Sequence, residues 1–216
     1  MRVVVESPRI VHLVDDDAAV RRSLSLTLRT AGYRVRPFES GAALLEACAT
    51  MEAGCILLDV RMPDIDGLRV QHMLKERGIS WPVIVMTAHG DTATAVQAMK
   101  GGALDFIEKP FHRADLIAAI EVGFGRLEQA ERRHIRADEA RALLAVLTPR
   151  ELDVLEGLVR GHPNKTIGYD LGISPRTVEI HRANLMAKLK VASLSEALRI
   201  AFTAGLGDVG TDDSQA

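Results

Sequence analysis

From Arg9 to about Gly125, short apolar runs alternate with segments of helical period. The runs IVHLV (10–14), YRVRPF (33–38), CILLD (55–59), VIVMT (83–87) and DFIEK (105–109) predict strands. The first, third and fourth are almost wholly apolar, as strands covered on both faces of a parallel sheet must be. Between them the periodicity predicts helices at about 18–31, 40–50, 66–77, 91–100 and 113–126. Ser40 and Asp91 stand where helix N-caps belong, and Gly32 and Gly78 where helices stop. Beyond Gly125 the pattern changes. Residues 127–147 carry mixed charge, no Pro and no Gly, and read as a helical linker prolonging the fifth helix. Thr148-Pro149 with Glu151 has the form of a capping box with proline in first position. Helices are expected at about 149–160, 164–171, 175–190 and 194–204, with Ser174-Pro175 opening the third.

Five β-α units imply an α/β fold: a flavodoxin-like, doubly wound, five-stranded parallel sheet in the order 2-1-3-4-5. A helical linker and an all-α, four-helix domain with helix-turn-helix spacing follow. The expected divisions are 9–125, 126–147, 148–205 and a disordered tail at 206–216. Composition is that of a globular chain, with 47% hydrophobic and 26% charged residues in 216. No apolar stretch approaches the ~20 residues that span a bilayer, and the first ten residues lack a secretory pattern. Two cysteines, Cys48 and Cys55, are too few for a disulfide framework and are expected as buried thiols, which suits the cytoplasm. Net charge is −2, but its distribution says more. Residues 1–125 hold 14 basic and 16 acidic side chains, whereas 148–204 hold 8 basic and 6 acidic. That mildly basic block permits a nucleic-acid partner.

In open parallel sheets, chemistry gathers where the strands end. Here those ends carry Asp15, Asp16 and Asp17 after the first strand, Asp59 after the third, Thr87 after the fourth and Lys109-Pro110 after the fifth. Taken singly, each is a turn former or a strand edge. Taken together they bring carboxylates, a hydroxyl and an ammonium to one crevice. Crowded carboxylates repel, and an oxygen-only set without His or Cys favours Mg²⁺. An ionised carboxylate is a competent nucleophile toward phosphorus, and phosphoryl transfer needs mostly positioning and charge neutralisation.

The segments VHLVDDDAAVRRSL, LLDVRMPDIDGL, VIVMTAHGD and DFIEKPF resemble, in order and spacing, the receiver domain of two-component response regulators. The resemblance implies Asp59 as phospho-acceptor, Asp16 as direct Mg²⁺ ligand, Asp15 acting through water and the Arg61 backbone carbonyl as a further ligand. It implies that Thr87 and Lys109 hold phosphoryl oxygens and that Lys109-Pro110 is cis. Phe106 falls at the aromatic switch position, Asp17 is expected only to cap a helix, and Gly67 to lend backbone freedom to the MPDIDG loop.

In the second domain, Val178, Leu185 and Leu189 form an apolar face on the 175–190 helix. Arg176, Ile180, Ala183, Asn184 and Ala187 collect opposite, with Glu179 at the edge, a surface suited to a major-groove floor. Lys165, Thr177, Lys188 and Lys190 flank it and could meet phosphates, as could His181. Arg182 is expected to pair with Glu151. LTPRELDVLEGLVRG, PNKTIGYDLGISPRTVEIHRANLMAKLKV and SLSEALRIA resemble the LuxR-type output domain, FixJ subgroup. This implies base-facing Glu179, Ile180 and Ala183, and pairing of two copies through the last helix. Gly168 departs from the alanine common there, at a cost of ~1 kcal/mol unless close packing needs it.

The joint expectation is a transcriptional response regulator, phosphorylated on Asp59 by a sensor histidine kinase. It would dimerise through the 91–109 face and bind double-stranded promoter DNA, with RNA polymerase a further partner, activation its outcome and no membrane involved. Three alternatives compete. Asp15-Asp16-Asp17 formally matches the D-x-D of haloacid-dehalogenase-type phosphatases, although Ala19 stands where that motif wants Thr or Val. A receiver could be inert and DNA binding independent of phosphate. A LuxR protein sensing an autoinducer is disfavoured, because residues 9–125 form an acidic pocket and no apolar cavity.

Overall fold

The computed structural model describes residues 9–63, 65–88 and 92–207. Asp91, expected as a cap, and the tail from residue 208 lie outside them. The described residues fall into two compact units that divide between Ala130 and Glu131.

The first unit is a parallel sheet of β1 (Ile10–Val14), β2 (Arg34–Phe38), β3 (Cys55–Asp59), β4 (Val83–Ala88) and β5 (Asp105–Lys109), in the order β2-β1-β3-β4-β5. β1 and β3 are buried at every position, as their mainly apolar sequence predicts, with His12 and Asp59 the polar residues taken inside. Two cores result, one per face of the sheet. Val11, Leu13, Leu57 and Ile84 pack on one side with Leu24 and Leu28 of α1 (Ala18–Thr30) and Leu116 and Ile120 of α5 (Arg113–Leu144). On the other, Val14, Ile56, Leu58 and Val85 meet Leu44 of α2 (Gly41–Ala47), Val70 and Leu74 of α3 (Gly67–Glu76) and Ala98 of α4 (Thr92–Gly101).

Local signals act as the sequence suggests. Ser40 caps α2 by accepting from the Ala43 amide, and Gly32 and Gly78 leave their helices at φ of 95° and 73°. Both cysteines are buried, and burial pushes the Cys55 thiol up to about 12. α5 runs from Arg113 to Leu144 without a break.

In the second unit, α6 (Pro149–Val159), α7 (Asn164–Leu171), α8 (Pro175–Leu189) and α9 (Leu194–Thr203) enclose a core of Val154, Leu155, Ile167, Val178, Leu185 and Ala197. Thr148 and Glu151 form the complete capping box, and Ser174 caps α8 with Pro175 in the first turn. Three residues, Gly172 to Ser174, separate α7 from α8. Gly168 packs tightly: a Cβ there would stand 2.7 Å from the Ile173 carbonyl oxygen. The missing methyl is what lets α7 approach that turn. Among the described residues no helix is long and apolar enough to cross a membrane.

Candidate phosphoryl-acceptor site and nucleic-acid surface

Strand register assembles the first site. Val14 pairs with Leu58, so Asp15 lies level with Asp59. Asp59 pairs with Met86, and Thr87 follows one residue on. Thr87 pairs with Glu108, and Lys109 is next along β5. Each group therefore reaches the crevice from its own strand, and β2, at the sheet edge, contributes none.

Lys109 Nζ is 2.9 Å from Asp15 Oδ2 and 3.0 Å from Asp59 Oδ1, one ammonium between two carboxylates. Asp15, Asp59 and Thr87 are 1%, 7% and 2% exposed, whereas Asp16 faces solvent. Burial raises the Asp59 carboxyl above the usual carboxylate range; Lys109 opposes that rise and the neighbouring Asp15 and Asp16 add to it. Burial would lower the Lys109 ammonium, but its bonds to Asp15 and Asp59 prevail and raise it. Carboxylate oxygens of Asp15, Asp16 and Asp59 lie within 4.8 Å of one another. Three carboxylates against one ammonium leave two negative charges, at a site with only oxygen donors. A hard divalent cation matches both properties.

One expectation about this site needs amendment. Gly67 is not among the positive-φ residues. A Cβ on it would stand 2.3 Å from the Asp59 carbonyl oxygen, so it supplies room for α3 to begin against β3, not backbone freedom. Both Asp15 oxygens are engaged, Oδ2 with Lys109 and Oδ1 accepting from the Asp17 amide at 2.9 Å. Asp17 is the N-cap of α1, accepting from the Ala19 and Val20 amides, which removes it from the D-x-D role. Lys109-Pro110 is cis. Arg61 is exposed beside Val60, whose carbonyl accepts from the Met62 and Gly67 amides.

Arg21 had not been singled out. Its guanidinium donates to the Asp15 and Asp16 carbonyls at 2.7 and 2.8 Å and fixes the loop that carries both acids. The sequence signal was a first-turn arginine after an acidic loop, too common to read alone. Phe106 pairs with Val85, two residues before Thr87 on the same strand face, and its ring is 43% exposed.

In the second unit, Arg176, Glu179, Ile180, Ala183 and Asn184 are exposed along α8, opposite buried Val178, Leu185 and Leu189. Lys165 is exposed in the first turn of α7, His181 is half-buried, and the Thr177 hydroxyl bonds the Ser174 hydroxyl at 2.8 Å. The expected partner of Glu151 is corrected. Lys188, nearly two turns further along α8, reaches its Oε2 at 2.7 Å. Arg182 instead lines a groove with Asn164, Glu179, Ala183 and Met186.

A doubly wound sheet with an acidic strand-end cluster, joined to a helix-turn-helix unit, defines a two-domain response regulator. Residues 11–121 match the response regulator receiver domain, and 145–201 the luxR family of bacterial regulatory proteins. The chain is 51% identical to transcriptional regulatory protein FixJ of Azorhizobium caulinodans, over 91% of this chain and 93% of that one. Among solved structures it resembles response regulator StyR (TM-score 0.71, 38% identity, 91% and 99% of the two chains covered). It also resembles full-length FixJ from B. japonicum (TM-score 0.58, 43% identity, 91% and 97% covered). The chain belongs to the FixJ-like transcriptional response regulators, with a receiver and a LuxR-type DNA-binding domain.

Proposed function

We propose that Asp59 accepts a phosphoryl group from a sensor histidine kinase and that this modification promotes dimerisation and promoter binding. The observation that carries the proposal is the single Lys109 ammonium held between Asp15 and Asp59. An Asp59 carboxylate oxygen attacks phosphorus of the donor phosphohistidine. The O–P bond forms as the P–N bond breaks, and the electron pair leaves on the imidazole nitrogen, which takes up a proton. Asp15, Asp16, Asp59 and the Arg61 carbonyl would hold Mg²⁺, which would neutralise the phosphoryl oxygens that carry the charge. Lys109 turns from the Asp59 carboxylate toward a phosphoryl oxygen, and the Thr87 hydroxyl donates to another. The chain itself is not a turnover enzyme; phosphoryl transfer to Asp59 and its slow hydrolysis are its only chemistry.

Movement of Thr87 draws Phe106 inward, which reshapes the surface of α4 and β5. The expected 91–109 face begins at Asp91, outside the described residues; within them Val96 and Met99 are exposed apolar groups suited to pairing two copies. A dimer presents two α8 helices to a two-fold operator. Glu179, Ile180, Ala183 and Asn184 face base edges, with Arg176, Thr177, His181 and Lys165 toward the backbone. RNA polymerase is the partner through which the bound dimer activates.

The test is incubation of the full chain with acetyl phosphate and Mg²⁺, read by intact mass and light scattering. Wild type should gain one phosphoryl group and double in mass, and Asp59→Asn should do neither. Equal labelling of Asp59→Asn would refute the assignment.

A further inference from the structure

The most exposed large side chain among the described hydrophobics and aromatics is Tyr169, at 88%. It lies on α7, and none of the roles above uses it. Position on the helix shows what it faces. Ile167 packs into α6 against Gly157, and Gly168 closes on the Ile173–Pro175 turn that leads into α8. Asp170 turns toward the α6–α7 connection, where His162 Nδ1 is 3.6 Å from its carboxylate. Stepping around α7 from the Gly168 side gives Lys165, then Tyr169, then Thr166 and Asp170. Tyr169 therefore shares a stripe with Lys165, one turn away, on the side of α7 next to the turn and the start of α8.

We propose that Tyr169 is a DNA-backbone contact, its hydroxyl donating to a phosphate oxygen on the strand that Lys165 also meets. The proposal rests on the DNA-binding reading of the second unit. In a helix-turn-helix the first helix crosses the backbone while the second enters the groove, and tyrosine hydroxyls are ordinary phosphate donors. A protein-docking role fits less well, because the neighbours on that side of the helix, Lys165, Thr166 and Asp170, are polar. An isolated phenol beside an ammonium suits a polar, anionic surface.

A labelled random-sequence 30-base-pair duplex is a sufficient probe, since phosphate contacts act on any sequence. The full chain, with and without beryllofluoride and Mg²⁺, is titrated into it by fluorescence anisotropy over a range of salt. Tyr169→Phe should weaken binding about five-fold with an unchanged salt slope, because the lost group is neutral. Lys165→Ala should lower the slope by about one. Far-UV circular dichroism should be unchanged in both, since both side chains are exposed. If wild type fails to bind in either state, the DNA reading itself falls. If wild type binds and Lys165→Ala weakens it while Tyr169→Phe and Tyr169→Ala match wild type, only the Tyr169 proposal is overturned.

Discussion

Lys188 Nζ and Glu151 Oε2 lie 2.7 Å apart and tie α8 to the first turn of α6, where the same carboxylate also accepts from the Thr148 amide at 2.8 Å. Burial would raise the Glu151 carboxyl, but Lys188 and Thr148 together hold it below the usual carboxylate range. A depressed carboxyl contributes stability above its unfolded value near 4.3, lost as pH falls through the lower folded value. Lys188→Ala leaves a buried carboxylate without its cation and should cost the second unit about 2 kcal/mol at pH 7. Urea denaturation followed by far-UV circular dichroism measures the loss. A midpoint equal to wild type would return Lys188 to the list of free cations.

Lys109 occupies the charge position that a divalent cation would share. Lys109→Ala removes the one cation that, among the described residues, bridges Asp15 and Asp59, so Mg²⁺ should bind about five-fold more tightly at pH 8. Calorimetric titration decides, and an affinity that stays level or drops would mean that Lys109 does not sense the metal position.

At Gly67 the added methyl of alanine would meet backbone, 2.3 Å from the Asp59 carbonyl oxygen. Backbone cannot swing aside as a side chain can, so Gly67→Ala should destabilise the first unit by about 2 kcal/mol. Trp81 is the only tryptophan and belongs to that unit, so its fluorescence reports the transition. A midpoint equal to wild type would count against close approach as the role of Gly67.

His12 sits wholly buried in β1, stacked on Trp81 at 5.2 Å between centroids. Its Nε2 donates to the Glu52 carbonyl at 3.1 Å, and its Nδ1 has no partner. Burial holds its pKa below the ordinary value and the positive charge of Arg36 reinforces this, while the Glu52 carbonyl works against it. The unfolded chain therefore binds the proton first. Stability should rise with pH between the folded value and about 6.5, by at most about 1.4 kcal/mol per pH unit. His12→Gln should flatten that slope in urea midpoints taken from pH 5 to 8, and an unaltered slope would count against the buried neutral imidazole.

These examples mark what the sequence could disclose. Strand order, Asp59, Lys109 and the caps at Asp17, Ser40, Thr148 and Ser174 were legible because each depends on local pattern or on where a parallel strand ends. The work of Gly67 and Gly168, the choice of Lys188 over Arg182 and the burial of His12 depend on how closely distant segments approach. Arg182 and Lys188 are six residues apart on α8, nearly two turns. Helical period alone cannot say which one the α6 carboxylate will meet.

The site draws on four strands' ends: Asp15 and Asp16 follow β1, Asp59 and Lys109 close β3 and β5, and Thr87 stands one residue before the end of β4. Backbone ladders hold them in place, not their bonds to one another. Reactivity and foldedness are thus separable by construction. If Asp59 is the acceptor, a receiver made deaf by a single exchange there should keep its shape.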